Sequence, residues 1–248
     1  MAAGVPKNDC LIVIPARYRS TRFPGKVLAL LKGRAVVEWC YRAAQAAKLG
    51  PVVVATEDEI VLRAVEAFGG KAVMTSSACV SGTDRVYQAA KSFKTPFVIN
   101  LQGDEPFIQT KTLQAVAQIL RGRKDADMST AVTPMTDSKL IKDPNIVKAA
   151  VAGNGRALYF SRAPIPYPRG KAPRPYYQHI GIYGFRRAAL KRFVGLAPSP
   201  LERTESLEQL RALEDGMSIF AAVVNDKTIA IDTPGDLRRA SKLAGRKK

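Results

Sequence analysis

The chain is poor in the residues that build metal clusters and covalent catalysts, with one histidine and three cysteines among 248 residues. The single His179 excludes a multi-histidine metal site and any nucleophile that needs two histidines. Cys10, Cys40 and Cys79 lie far apart with no Cys-x-x-Cys spacing. They read as reduced, mostly buried thiols, not as a disulfide frame or a zinc site. No apolar run approaches the roughly 18 residues of a membrane span, so no membrane insertion is expected. Met1 to Asp9 has no apolar signal core, and a cytoplasmic location is the expectation. No Gly-x-Ser-x-Gly elbow is present, and no Gly-x-Gly-x-x-Gly follows the first apolar strand, which argues against an esterase and a dinucleotide oxidoreductase. Internal repeats and low-complexity tracts are missing too, and 46% hydrophobic residues mark a folded globular chain.

Positive charge is abundant: 39 Lys and Arg face 21 Asp and Glu, a net +18. Such a balance raises nucleic acid as a partner. The cations are spread along the whole chain, however, with one small terminal cluster (Arg238, Arg239, Lys242, Arg246, Lys247, Lys248). No DNA- or RNA-binding motif accompanies them, so nucleic acid is not expected as the main partner.

The most informative segment is Pro15-Ala16-Arg17-Tyr18-Arg19-Ser20-Thr21-Arg22-Phe23-Pro24-Gly25-Lys26. It follows Cys10-Leu11-Ile12-Val13-Ile14, a short apolar run that reads as a buried strand. A cation-rich loop therefore leaves a strand end, where open α/β sheets bind ligands. Arg forks grip phosphate oxygens in pairs, Lys adds a point charge, and Gly lets backbone approach. The loop suits a triphosphate without being a Walker A motif, because Val27 follows Lys26. A basic surface turn is the plainer alternative.

Strands and helices alternate beyond it. Val52–Ala55, Lys71–Met74 and Pro96–Leu101 read as strands; Glu57–Phe68, Thr83–Phe93 and Thr110–Leu120 read as helices. This order predicts a largely parallel sheet with right-handed crossovers. From Asp127 the pattern loosens. Met128–Val132, Ile146–Val151, Leu158–Ser161, His179–Phe185, Ile219–Val224 and Thr228–Ile231 are expected strands, and Leu201–Asp215 and Pro234–Ala244 expected helices. Pro164, Pro166, Pro168, Pro173 and Pro175 cannot sit in a helix or central strand and predict an excursion from the core, a candidate dimer arm. The whole, residues 1–248, is expected as a single domain, with residues about 155–200 as a dimerisation excursion from its core.

Asp104 sits in the turn Gln102-Gly103-Asp104-Glu105-Pro106 after a buried strand, and Asp232 follows Thr228–Ile231. Carboxylates at strand ends can hold Mg²⁺, which takes one or two protein carboxylates plus substrate oxygens. A turn-shaping role for Asp104 and a helix N-cap role for Asp232 are the structural alternatives. Ser81-Gly82-Thr83-Asp84-Arg85 opens a helix and reads locally as an ordinary N-cap. His179 lies among Gln178, Gly181, Tyr183 and Phe185, as a packed residue or part of a hydrogen-bonding pocket. Glu202, Glu205 and Glu208 are spaced by three along the expected late helix, with Gln209 beside them; they form a solvated face or a sugar-binding edge.

Together these segments resemble the 3-deoxy-manno-octulosonate cytidylyltransferases over about residues 10 to 240. The carrying motifs are Ile14 to Tyr18 with Ser20 to Lys26, Ser81 to Arg85, Asn100 to Pro106, Leu158 to Arg162, His179 to Gly184, Pro198 to Glu202, Leu207 to Arg211 and Ile231 to Pro234. The resemblance implies a Rossmann-like nucleotidyltransferase fold: a mixed, mostly parallel sheet flanked by helices, with a smaller dimerisation element and a homodimer. It implies transfer of a cytidylyl group from CTP to the anomeric hydroxyl of 3-deoxy-D-manno-octulosonate, releasing pyrophosphate, in lipopolysaccharide biosynthesis. It implies a nucleotide site of Arg17, Arg22, Lys26, Ser81, Gly82, Arg85 and Gln102. Arg17 and Lys26 would hold the triphosphate, with Gln102 and Arg85 near cytosine. Arg17, Lys26, Asp104 and Asp232 would carry catalysis, the two aspartates as Mg²⁺ ligands. Arg162, His179, Tyr183, Glu208 and Gln209 would surround the sugar acid. Two positions depart from the family pattern: Gly235 replaces an acid in Asp232-Thr233-Pro234-Gly235-Asp236, and Gln178 replaces an Arg before His179. A related sugar acid, 8-amino or neuraminate, and a basic nucleic-acid-binding protein on an inactive scaffold are the other readings.

Overall fold

The computed structural model describes residues 8–20, 22–170, 175–226 and 229–244. It divides into two compact units, residues 1–114 with 227–248, and residues 115–226.

The first unit opens with β1 (Cys10–Pro15), buried along its apolar length. An uninterrupted apolar run is what a parallel strand covered on both faces requires. A 3-10 turn at Lys26–Leu28 leads to the two-residue strands β2 (Leu30–Leu31) and β3 (Arg34–Ala35), which pair antiparallel, and to α1 (Val36–Ala46). Then follow β4 (Val52–Thr56), α2 (Glu59–Ala67), β5 (Ala72–Met74), α3 (Gly82–Ala90), β6 (Phe97–Leu101) and α4 (Thr110–Gly122). The division between the units falls within α4. The sequence pattern indicated no element between Lys26 and Val52. Helix α1 is not marked because Ala35 precedes it and no side chain caps it. Its apolar stripe Val36, Val37, Cys40, Tyr41 and Ala44 is buried, each large member contributing about 1.5–3 kcal/mol.

Four strands of this unit run parallel in the order β6-β1-β4-β5. The chain moves outward from β1 through β4 to β5, then crosses back to place β6 on β1's other side. That reversal is a topological switch point, and the carboxyl ends of β1 and β6 border the crevice it creates.

The second unit carries β7 (Met128–Met135), α5 (Ser138–Lys142), β8 (Lys148–Val151), β9 (Ala157–Ser161) and β10 (Tyr176–Arg186). It ends with α6 (Arg187–Val194), α7 (Pro200–Glu205), α8 (Leu210–Glu214) and β11 (Ile219–Val223). Strand β7 pairs parallel with β11 and antiparallel with β10, whose register slips between Ile180 and Tyr183. Strands β8 and β9 form an antiparallel hairpin against β10. Across the chain the fold is α/β, with mixed, largely parallel strands and flanking helices.

The expected helix Leu201–Asp215 is two helices. Ser206 stands at φ 52°, in the left-handed region, and no glycine or proline announces the break. The break serves the core, since it turns Leu207 inward to 7% exposure. The described residues 162–170 of the proline-rich stretch form neither helix nor strand.

The chain returns to the first unit with α9 (Pro234–Ala244). Its Ala240 joins Leu31, Val36 and Ile231 in a core also covered by Phe23, Trp39 and Phe107. The strand expected at Thr228–Ile231 is not formed at 229–231, and Thr228 lies outside the described residues. Instead Ile231 N donates once, to Asp104 O at 2.9 Å.

Candidate active site

The loop after β1 is folded by its own backbone. Gly25 N donates to Tyr18 O at 2.8 Å, and Tyr18 N donates to Asp58 Oδ2 at 2.7 Å. Gly25 adopts φ 71°, and a Cβ there would lie 3.2 Å from the Tyr18 ring. Glycine alone meets both demands cheaply. The turn delivers Lys26 inward. Arg17 reaches across to accept none and donate twice, to Cys79 O at 3.3 Å and Val80 O at 3.2 Å. It thereby ties this loop to the one before α3, while the Arg22 side chain is 66% exposed. Thr21 lies outside the described residues.

The loop after β6 packs directly against it. A Cβ on Gly103 would sit 3.0 Å from Pro15 O, so a side chain here would push the two loops apart by a few tenths of an ångström. Gln102 Nε2 donates to Asn100 Oδ1 at 3.2 Å, and Gly82, at the start of α3, lies near Pro15 and Gln102. The Ile231 hydrogen bond to Asp104 then brings residues 229–232 alongside. Asp232 is not the helix cap. Thr233 Oγ1 accepts from Asp236 N at 3.2 Å, while Asp236 Oδ2 accepts from Thr233 N at 2.8 Å and Asp232 N at 3.2 Å. With the capping done by Thr233 and Asp236, the Asp232 carboxylate is released for another task.

That task is shared with Asp104. Lys26 Nζ donates to Asp104 Oδ2 at 2.5 Å and to Asp232 Oδ1 at 2.8 Å, and Arg22 lies 3.2 Å from Asp232 Oδ2. Burial alone would lower the Lys26 ammonium. The Asp104 carboxylate, then Asp232, outweigh it and raise the group above its ordinary value. So two carboxylates from distant segments converge on one cation, beside the basic loop and at the switch point. Among the described residues no three His, Cys, Asp or Glu side chains gather as a metal cage. Two partly exposed carboxylates suit Mg²⁺, which keeps its remaining positions for water and phosphate oxygens.

Other residues expected near the nucleotide do structural work. Ser81 caps α3 in a reciprocal box with Asp84, at 3.1 and 2.8 Å. Arg85 is fully buried; it donates to Glu57 Oε2 at 2.5 Å and to Thr75 Oγ1.

The residues expected around the sugar acid all lie in the second unit. Thr130 Oγ1 is 2.9 Å from His179 Nε2 and 2.8 Å from Ile182 O, the carbonyl freed by the β10 register slip. A hydroxyl has one proton. With that proton on Ile182 O, His179 Nε2–H is the donor to Thr130, and Nδ1 is left as an acceptor. Phe160 stacks edge-on at 4.9 Å and Tyr183 lies at 5.4 Å. Burial pushes the imidazole down to about 3, so it is neutral near pH 7. Burial, then the Glu208 carboxylate, raises the Tyr183 phenol. Gln209 is 3% exposed, and its Nε2 has no hydrogen-bond partner among the described residues. Arg162 is spent on carbonyls: Glu205 O at 2.6 Å, Pro144 O at 3.0 Å and Ser206 O at 3.3 Å.

The three glutamates do not share a helical face. Glu202 pairs with Arg211 at 2.7 and 2.5 Å, and Glu205 accepts from Ser161 Oγ at 2.6 Å and Arg162 N at 2.9 Å. Glu208 comes after the break. Sequence reasoning missed Asp58, Glu57, Thr130 and Glu205 as positioning groups. Each acts across a long chain separation, and none sits in a motif of its own.

A family model described as "Cytidylyltransferase" matches residues 11–219. Among curated proteins, the chain is 49% identical to the 3-deoxy-manno-octulosonate cytidylyltransferase of Elusimicrobium minutum (strain Pei191), over 95% of this chain and 98% of that one. It is 47% identical to the enzyme of the same name from Myxococcus xanthus (strain DK1622), over 93% and 94%. A solved structure of CMP:2-keto-3-deoxy-manno-octonic acid synthetase complexed with CTP superposes with a TM-score of 0.92 at 39% identity, covering 97% of this chain and 100% of that one.

Proposed function

This chain belongs to the cytidylyltransferase family, and we propose that it transfers the cytidylyl group of CTP to 3-deoxy-manno-octulosonate. The bond from the α-phosphorus to the bridging oxygen breaks, one to the sugar's anomeric oxygen forms, pyrophosphate leaves with the electron pair, and the hydroxyl proton is lost to solvent. The product fits lipopolysaccharide biosynthesis. The observation that carries this reading is the convergence of Asp104 and Asp232 beside the loop of Arg17, Arg22 and Lys26.

In this reading the protein works by position and charge, without a covalent intermediate. Asp104 and Asp232 would hold Mg²⁺, which when bound would supply charge neutralisation to phosphate oxygens and lower the pKa of the attacking hydroxyl. Lys26 and Arg22 give cations to the triphosphate, and Arg17 joins them from its carbonyl anchors. Gln102, with Gly82 beside it and Ser81 capping α3, offers the base an amide. Arg85, locked by Glu57, shapes that wall from within. His179, as a neutral imidazole, with Tyr183, Glu208 and Gln209 hold the sugar acid; the Gln209 Nε2, without a partner among the described residues, supports this, because buried amides seek partners. Arg162 holds the Glu205–Ser206 turn that leads to Glu208 and Gln209. We further propose a single catalytic domain, a homodimer formed through residues about 155–200, and a cytoplasmic location.

Pyrophosphate release from CTP with Mg²⁺ and a panel of sugar acids tests the reading. Release is expected with 3-deoxy-manno-octulosonate in preference to its 8-amino analogue or neuraminate. Preference for another acid reassigns the substrate, and no release with any acid removes the activity.

A further inference from the structure

We propose that Lys26 is an exchangeable occupant of the divalent-cation site, held between Asp104 and Asp232 until the triphosphate draws it away. This rests on the reading above. Lys26 Nζ donates to one oxygen of each carboxylate, at 2.5 and 2.8 Å, so the ammonium takes the position where two anionic groups most favour positive charge. The three side chains are partly shielded, at 16%, 22% and 35% exposure, which strengthens the attraction relative to open water. An ammonium and a divalent ion cannot both occupy the space between the same two carboxylates at contact distance. One must leave for the other to enter.

Lys26 has somewhere to go. It sits at the end of the basic loop, on a flexible four-carbon stem, directly after the glycine-dependent turn. A triphosphate offers the ammonium a new anionic partner and leaves the carboxylates bare. Nucleotide and metal then favour each other's binding, as linkage requires when each relieves the same obstacle. In the ligand-free protein Lys26 also spares Asp104 and Asp232 from facing each other uncompensated. Arg22 is a built-in comparison. It meets Asp232 Oδ2 at 3.2 Å from an exposed position and does not bridge the pair.

The test is Mn²⁺ binding without nucleotide, read by the electron paramagnetic resonance of the free ion. Wild type is compared with Lys26→Met, Lys26→Gln and Arg22→Met, each checked for folding by circular dichroism. Both Lys26 variants are expected to bind Mn²⁺ at least about tenfold more tightly than wild type, and Arg22→Met within about threefold of it, because only Lys26 blocks both carboxylates. Adding Asp104→Asn to Lys26→Met should abolish the gain. Two Lys26 variants keep the test alive if one fails to fold, since Gln retains a polar group near the carboxylates. Lys26 variants that bind no tighter than wild type, or no tighter than Arg22→Met, overturn the exchange. If pyrophosphate release by wild type still requires a divalent ion in that case, the functional reading stands and only the exchange falls. If release needs no divalent ion, the metal part of the functional reading falls with it.

Discussion

Lys26 and Asp104, 78 positions apart in sequence, meet at 2.5 Å across the carboxyl ends of β1 and β6. The pairing exists because the strand order reverses there and because Gly103 lets one loop lie against Pro15 of the other. Asp232 completes it from a third segment.

Replacing Asp104 by Ala should lower turnover by at least ~100-fold, the scale of losing a preorganised charged group at a reacting centre. The protein should remain folded, since the side chain is partly exposed and lies outside the core. Steady-state pyrophosphate release together with a thermal melt checks both. Near-normal turnover would remove the metal-ligand role.

Gly103→Ala should impair the site through geometry alone. Its new methyl would stand 3.0 Å from Pro15 O, a backbone atom that can yield only by shifting the loop. A stability loss of ~1–3 kcal/mol is expected, with a raised KM for CTP. Urea unfolding and CTP titration read these out, and an unchanged KM contradicts the loop contact.

Arg211→Ala should cost ~3 kcal/mol, because it strands the Glu202 carboxylate in a largely buried position. Urea denaturation measures it. A loss below ~1 kcal/mol, the range of exposed pairs, contradicts the shielding seen here.

His179, as the only histidine, gives one pair of imidazole nitrogen signals in NMR. It should stay neutral, with the proton on Nε2, from pH 8 to about pH 4, because its folded value is depressed to about 3. The linked stability follows the same sign. A depressed histidine stabilises the fold fully above its unfolded value near 6.5, and that contribution is lost as pH falls from there toward 3. Titration near 6.5 in the folded protein contradicts the buried setting.

The first unit was largely legible in sequence because its signals are local. Unbroken apolar runs mark β1, β4 and β6, and the Ser81 box marks α3. Helices α1 and α6 were missed because neither Ala35 nor Arg186 caps with its side chain. The Ser206 break was hidden because its cause is tertiary: Leu207 seeks the core and Glu205 is claimed by Ser161 and Arg162. At the site, residue types at strand ends pointed to Asp104 and the basic loop, but Asp232's N-cap alternative could be resolved only by seeing Thr233 and Asp236 do that work. Arg85 illustrates the converse limit. Its burial against Glu57 depends on a contact 28 positions away that no spacing rule announces.

The most direct measurement is the Mg²⁺ dependence of pyrophosphate release from CTP and 3-deoxy-manno-octulosonate, for wild type and for Asp104→Asn/Asp232→Asn. Wild type should show a saturable rise with Mg²⁺ that a chelator abolishes, and the double variant should stay near background at every concentration. A double variant that follows the wild-type curve would contradict the assignment of these two carboxylates to the metal.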